Sequence, residues 1–174
     1  TVKNAASDLT DNALETTPKR LFYEIVLYSF AIEFVGAVIL AFVFVPDFGA
    51  LGIFEAIFLS VSAFCNAGFD LLTATPGAVG LSEYTNNPLV MITLIVLITT
   101  GGLGFIVWRN IRHYSKAKRL LLHTKLVLIM AAVMLLVGAA IIFIVEFSNQ
   151  DTLGQMPIGE NILTSIFLSA SSRP

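Results

Sequence analysis

SAFCNAGFD, residues 62–70, decides how this chain is read. It closes an apolar run, Ile53 to Phe64, that spans only about 20 Å as a helix and reaches no further than the middle of a bilayer. A glycine-containing polar turn follows at once. Long apolar segments lie on either side, from Leu21 to Val45 and from Leu89 to Trp108. A half-crossing that ends in a turn puts irregular backbone at membrane depth. Such backbone persists only where protein buries it or where it lines a wet path, because lipid offers no partner to N–H and C=O groups. In a pore the same carbonyls can replace the water around a cation. The bland alternatives are a short interfacial helix and an ordinary Asn-Ala-Gly turn.

Composition agrees with a membrane setting. The chain is 56% hydrophobic and 13% charged, its mean hydropathy is +0.85, and average soluble domains carry roughly 25% charge. The lone Cys65 excludes an internal disulfide and a multi-cysteine metal cage, and His113 and His123 lack a helical ligand spacing. Hydrolytic chemistry needs a nucleophile with a base, or a metal, and no such set is visible, so the expectation is no enzyme. Thr1 and the missing leader pattern suggest an internal piece of something longer.

Charge sets the orientation. Nine of the ten Lys/Arg residues fall in 1–20 or 109–125, and 46–88 and 148–160 contain none. The positive-inside rule puts the N-terminus and the 109–125 stretch in the cytoplasm. Three spans (21–45, 89–108 and one beginning at Leu126) satisfy this only if 53–64 turns back. If 53–64 crossed fully, the basic stretch would end up outside.

An internal repeat supports the same unit. Ala56–Ala63 (AIFLSVSA) aligns without gaps on Ser165–Ser172 (SIFLSASS), each after a span and an acidic loop. The expected fold is all-α and membrane-embedded, built of helix–pore helix–filter loop–helix repeats. Residues 1–18 would be a cytoplasmic linker. Residues 19–108 would form one complete repeat, with pore helix 53–64 and filter loop 65–69. The basic cytoplasmic loop 109–125 and the start of the next repeat, 126–174, would follow.

Within that unit the half-helix C-terminus favours a cation through its partial negative charge. Carbonyls from Phe64 to Gly68 extend the field, and Gly68 supplies backbone freedom. Phe69 would brace the loop by packing, and Asn66 could bond backbone. Gly101, Gly102 and Gly104 suit close helix packing or a bend used in gating. Glu33 could be a cation site or a packing residue. The 109–125 stretch could hold anionic lipid or a cytosolic partner. The alternatives are a non-conducting scaffold or assembly subunit and, if the chain does conduct, a sodium-permeable relative.

SVSAFCNAGFDLL (60–72), followed by NPLVMITLIVLITTGGLGFIVWRNI (87–111), closely resembles the Trk/Ktr/HKT superfamily of potassium transporters. The nearest resemblance is to the membrane subunit of Ktr-type uptake systems. It implies four repeats in a whole protein, of which this chain is similar to the second and the start of the third. Cys65, Asn66, Ala67 and Gly68 would then form a quarter of a potassium filter, with Gly68 the signature glycine. Phe69 would support the filter, and Arg173 matches the basic residue before the third filter loop. ILTSIFLSASSRP (162–174) looks like the third pore helix, stopping before its filter glycine. The resemblance also implies potassium as substrate, no cofactor, and no metal beyond potassium at the filter carbonyls. It implies a multi-pass protein of the bacterial inner (plasma) membrane. Expected partners are the lipid bilayer, a second copy in a homodimer, and a cytosolic nucleotide-binding regulatory subunit, but no nucleic acid. The 109–125 loop is a candidate contact for that subunit.

Overall fold

The computed structural model describes residues 18–74, 80–117, 120–146 and 157–172. Of the linker expected at 1–18, residues 1–17 lie outside the described residues, as do segments 75–79, 118–119 and 147–156, and Arg173. Among the described residues every regular element is helical, and the chain is an all-α membrane protein.

Helix α1 runs from Pro18 to Phe48, so Pro18 opens the helix and is not part of the linker. The stretch Leu21–Phe48 is long and apolar enough to cross a bilayer. The sequence expectation of an end at Val45, before Pro46, is not met, because the helix continues through Pro46. The missing N–H falls in the last turn, where only one carbonyl loses its partner, and the helix runs two residues further. The break is the single residue Gly49, at φ 60, and α2 begins at once as Ala50–Phe64. Gly52 lets α2 fold back, since a Cβ there would lie 2.1 Å from the Phe44 carbonyl oxygen. The half-length helix therefore starts three residues before the expected Ile53. At about 22 Å it still falls short of the ~30 Å hydrocarbon core.

Two short 3₁₀ turns, Leu72–Ala74 and Leu81–Asn86, lead to α3, Pro88–Gly102. The Asn87 side chain caps α3 by accepting from the N–H groups of Leu89 (3.0 Å) and Val90 (3.4 Å). Pro88 fills the first helical position, where no hydrogen bond is lost.

The span expected over 89–108 is not one continuous helix, because the chain breaks after Gly102. Gly104 adopts φ 80, and α4, Phe105–Ala117, leaves at 97° to α3. The indole N–H of Trp108 reaches back to the Thr100 carbonyl at 3.0 Å and satisfies an acceptor that the break orphans. Thr99 and Thr100 hydroxyls bond the Ile95 and Leu97 carbonyls at 2.6 and 3.0 Å. The basic stretch expected as a loop is mostly helical, because α4 runs to Ala117 and α5, Leu122–Glu146, begins soon after. Helix α5 is a second full-length apolar helix, and α6, Ile158–Ser171, is again short.

The core lies where α1, α2 and α3 meet. Leu40 and Phe44, Ala56, Leu59 and Ala63, and Val90, Leu94 and Leu97 are buried together with Leu72. Helix α6 packs against α3 and α5, as α2 packs against α1 and α3. The repeat is visible in its contacts. Ser60 donates to the Glu33 carbonyl at 2.7 Å, and its aligned partner Ser169 donates to the Leu135 carbonyl at 2.9 Å. Three residues on from each acceptor stands a glycine. A Cβ on Gly36 would lie 2.6 Å from the Ser60 hydroxyl, and one on Gly138 would lie 2.4 Å from that of Ser169. Both half-helices therefore dock on their full-length helices through the same serine–glycine device.

Candidate functional site

The C-terminus of α2 turns on two left-handed residues. The N–H of Asn66 bonds the Ala63 carbonyl at 3.2 Å, and the N–H of Ala67 bonds the Ser62 carbonyl at 2.9 Å. This is a Schellman ending with Asn66 in the left-handed position at φ 53. Asparagine tolerates that region better than most side chains. Gly68 follows at φ 71. Two such residues within three reverse the chain, and the loop 65–69 leaves the helix end on its way back out.

Ser62 closes the loop. Its hydroxyl accepts from the Phe69 N–H and donates to the Phe69 carbonyl, both at 2.9 Å. One buried side chain thus ties the last turn of α2 to the far end of the loop. Sequence reasoning missed it, although a signal existed. A hydroxyl in a short apolar helix needs a partner, and Ser60 and Ser62 are two such groups.

Phe69 is 66% exposed in this part of the protein, so within it the ring makes little of the packing expected of a brace. The Phe69 backbone carries the support. Asn66 likewise acts through its backbone, and its Oδ1 is buried without a hydrogen-bond partner in the described chain. Cys65, Ala67 and Gly68 are exposed. The loop therefore presents a cysteine, a methyl group, a glycine and their peptide groups to the outside of this unit.

Behind the loop, Gly101 lets α3 approach closely. A Cβ there would sit 1.8 Å from the Phe64 carbonyl oxygen, whereas one on Gly102 would meet only the Asn66 amide nitrogen at 3.6 Å. The three glycines divide the roles the sequence left open, with close packing at Gly101 and a bend at Gly104. Asn66 also borders two small cavities. One, of about 160 Å³, is lined by Ser62, Phe69, Leu94, Ile98 and Phe167. The other, of about 120 Å³, is lined by Thr99, Gly102, Val127 and Ala170. Residues of α6 close both, so the loop sits between consecutive repeats.

Past the loop, Asp70 belts the connection. Its two carboxylate oxygens accept from the N–H groups of Leu72 and Leu81, each at 2.9 Å. Tyr84, in the turn that Leu81 starts, donates its hydroxyl to Asp47 at 2.7 Å. Its ring packs edge-on against Phe44 at 5.0 Å. Burial, then the hydrogen bond and charge of Asp47 and the charge of Glu83, hold this phenol well above its ordinary range. Glu33 is half-buried on α1, and its backbone carbonyl is the acceptor for Ser60. Among the described residues no group of three or more His, Cys, Asp or Glu converges as a metal cage would require.

Chemically the arrangement offers shape and peptide dipoles. A half-length helix aims its C-terminus at a turn whose ends are clamped, and the turn lies against the next repeat. Comparison with known proteins agrees. The potassium/sodium uptake protein NtpJ of Enterococcus hirae is 42% identical over 155 residues, covering 88% of this chain and 33% of that protein. The Ktr system potassium uptake protein B of Vibrio alginolyticus is 39% identical over 158 residues, covering 89% and 34%. Its namesake in Bacillus subtilis is 34% identical over 148 residues, covering 84% and 32%. The chain thus spans about a third of the length of the curated relatives it matches. The match to the TrkH family, described as cation transport protein, runs over residues 3–174. With that match and these relatives, the chain belongs to the TrkH cation transport family, among the Trk/Ktr membrane subunits.

Proposed function

We propose that this chain supplies one filter quarter, and the approach to another, of a potassium pathway across the plasma membrane of a bacterium. Cys65, Asn66, Ala67 and Gly68 would coordinate the dehydrated ion through their carbonyls. Potassium is then the transported substrate and not a resident cofactor. One loop cannot encircle an ion, and a ring needs about four, so the remaining loops come from other repeats. Entry is driven by the membrane potential, worth about 2.3 kcal/mol per charge per 100 mV. The working assembly is a homodimer of multi-pass subunits with a cytosolic nucleotide-binding regulator, and Arg173 stands just before the next filter loop.

The observation that carries this reading is the fold-back at 62–69. A helix too short to cross ends in a left-handed turn that Ser62 clamps at both ends. A scaffold helix has no use for a held loop. Sodium permeation is the second reading, favoured by the name of the Enterococcus hirae relative, which includes both ions.

The test is Gly68→Asp in the full-length protein, expressed in cells that lack their own potassium uptake. A Cβ at Gly68 meets nothing within 4 Å, and aspartate bears the left-handed backbone at φ 71 with less strain than most residues, so the strain should be modest and membrane levels of the variant are measured alongside growth. Growth at low potassium should be lost. Undiminished growth, with the variant present in the membrane, would count decisively against a filter at this loop.

A further inference from the structure

Loop 65–69 is held by hydrogen bonds more than by packing. In the described chain Cys65, Ala67, Gly68 and Phe69 are exposed, and Gly68 at φ 71 adds backbone freedom. The Schellman bonds fix the start of the loop. Ser62 holds Phe69, and the residue after Phe69 is Asp70.

Asp70 is half-buried and turns both carboxylate oxygens to backbone. Oδ1 accepts from the Leu72 N–H and Oδ2 from the Leu81 N–H, each at 2.9 Å. Bonds to a carboxylate are roughly twice as strong as neutral ones. The first is local and shapes the turn after the loop. The second joins residues eleven apart and ends on the first residue of the 3₁₀ turn Leu81–Asn86. Gly80 permits this approach, since a Cβ there would lie 3.3 Å from Asp70 Oδ2 and 3.0 Å from Thr73. The 3₁₀ turn is itself fastened to the frame of the fold. Tyr84 donates to Asp47 at 2.7 Å and sets its ring on the buried Phe44 of α1. Asn87, directly after the turn, caps α3. The Leu81 N–H is thus a fixed point, and Asp70 ties the exit of the loop to it.

We propose that Asp70 is a positioning residue for the filter, its carboxylate fixing the far end of loop 65–69 and thereby the spacing of the loop carbonyls. The inference rests on the proposed function for what the loop does, and on the bonds above for what holds it. The competing role is electrostatic, a carboxylate that attracts cations without fixing the loop. Such a group gains by facing water, whereas both Asp70 oxygens face N–H groups that weaken its field.

Three variants of the full-length protein separate these roles. Asp70→Asn keeps the shape but offers one acceptor oxygen in place of two. Leu81→Pro removes the N–H and keeps the carboxylate, at a first helical position that proline tolerates. Leu81→Ala keeps the N–H and controls for the lost side chain. Amide hydrogen exchange of residues 66–69 is followed by mass spectrometry, with α1 peptides reporting whether each variant is folded. Exchange should rise about tenfold or more in Asp70→Asn and Leu81→Pro, the scale of one hydrogen bond to a charged group. In Leu81→Ala it should stay near the unmodified rate. Rubidium and sodium uptake by the same full-length proteins in vesicles is the second readout. Asp70→Asn and Leu81→Pro should lose most of the rubidium-over-sodium preference. A residue that served stability alone would lower both uptakes together and keep their ratio.

Unchanged exchange in Asp70→Asn, or equal exchange in Leu81→Pro and Leu81→Ala, overturns the proposal. Lost preference in Asp70→Asn with full preference in Leu81→Pro overturns it in favour of the charge. Faster exchange with an unchanged uptake ratio leaves the anchor standing and tells against loop 65–69 as the filter.

Discussion

Replacing Gly101 with alanine in the full-length protein should disable the proposed transport, although the change adds one methyl group to a helix. The methyl carbon would sit 1.8 Å from the Phe64 carbonyl oxygen and 2.9 Å from its carbon, against the 3.4 Å at which ordinary contact begins. The two helices must therefore part by about 1.6 Å, the difference between those two contact distances. Neither side can yield cheaply, because both surfaces are backbone. Overpacking of this kind costs about 1–3 kcal/mol, and with backbone on both sides the upper end applies. Alanine recovers about 1 kcal/mol through helix propensity, which leaves a net loss of about 2 kcal/mol. The displacement matters more than the energy. Phe64 is the last residue of α2, so the shift passes directly into Cys65–Gly68. Misplacing a preorganised site by about 1 Å costs on the order of 10²-fold in rate. Rubidium uptake by the reconstituted full-length protein should fall at least tenfold on that scale. Gly102→Ala is the matched control. Its methyl group meets the Asn66 amide nitrogen at 3.6 Å, so uptake should stay near the unmodified level. Equal uptake by both variants would refute the argument that the α3–Phe64 contact sets the loop position.

Ser62→Ala removes both bonds to the Phe69 backbone, at about 0.5–1.5 kcal/mol for each net bond. Potassium-over-sodium selectivity should drop more than protein yield, and unchanged selectivity in competitive flux would show that the clamp is dispensable. Ser60→Ala and Ser169→Ala should each cost about 0.6 kcal/mol, the average for a hydrogen bond between membrane helices. Detergent-unfolding curves that differ severalfold between them would deny the equivalence of the two half-helices. Tyr84 should make stability fall at high pH. Its folded pKa is raised, so its contribution is complete below the unfolded value of about 10. It is lost as pH rises from there, because the unfolded chain releases the proton first. Tyr84→Phe should flatten part of that alkaline decline in thermal midpoint, and an identical decline would remove Tyr84 as its source.

Much of the fold follows from local chemistry alone. Runs of apolar residues near bilayer length, a run half that length and a one-sided distribution of lysine and arginine require helices that cross and one that does not. The IFLS repeat was readable because the same docking problem was solved twice with the same residues. Local sequence also marks Asn66 and Gly68, since few residues occupy left-handed backbone without strain.

Other features were settled by contacts between distant segments. Pro46 suggests a stop, yet a proline in the final turn forfeits little, and folding α2 back onto Phe44 retains the helix to Phe48. Residues 89–108 have the composition of a single span. Their division at Gly104 depends on Trp108 returning to the Thr100 carbonyl, a bond between residues on two different helices. The sequence points to the Phe69 ring as a brace of the loop, and the folded chain adds a clamp it does not spell out, the Ser62 hydroxyl on the Phe69 backbone. Hydropathy and charge act on each segment separately, so the sequence by itself marks which segments are long and apolar enough to enter the membrane and sets an expectation for their orientation. Helix breaks, close approaches and loop clamps depend on where orphaned carbonyls and hydroxyls find partners. Those partners are assigned only when the helices pack.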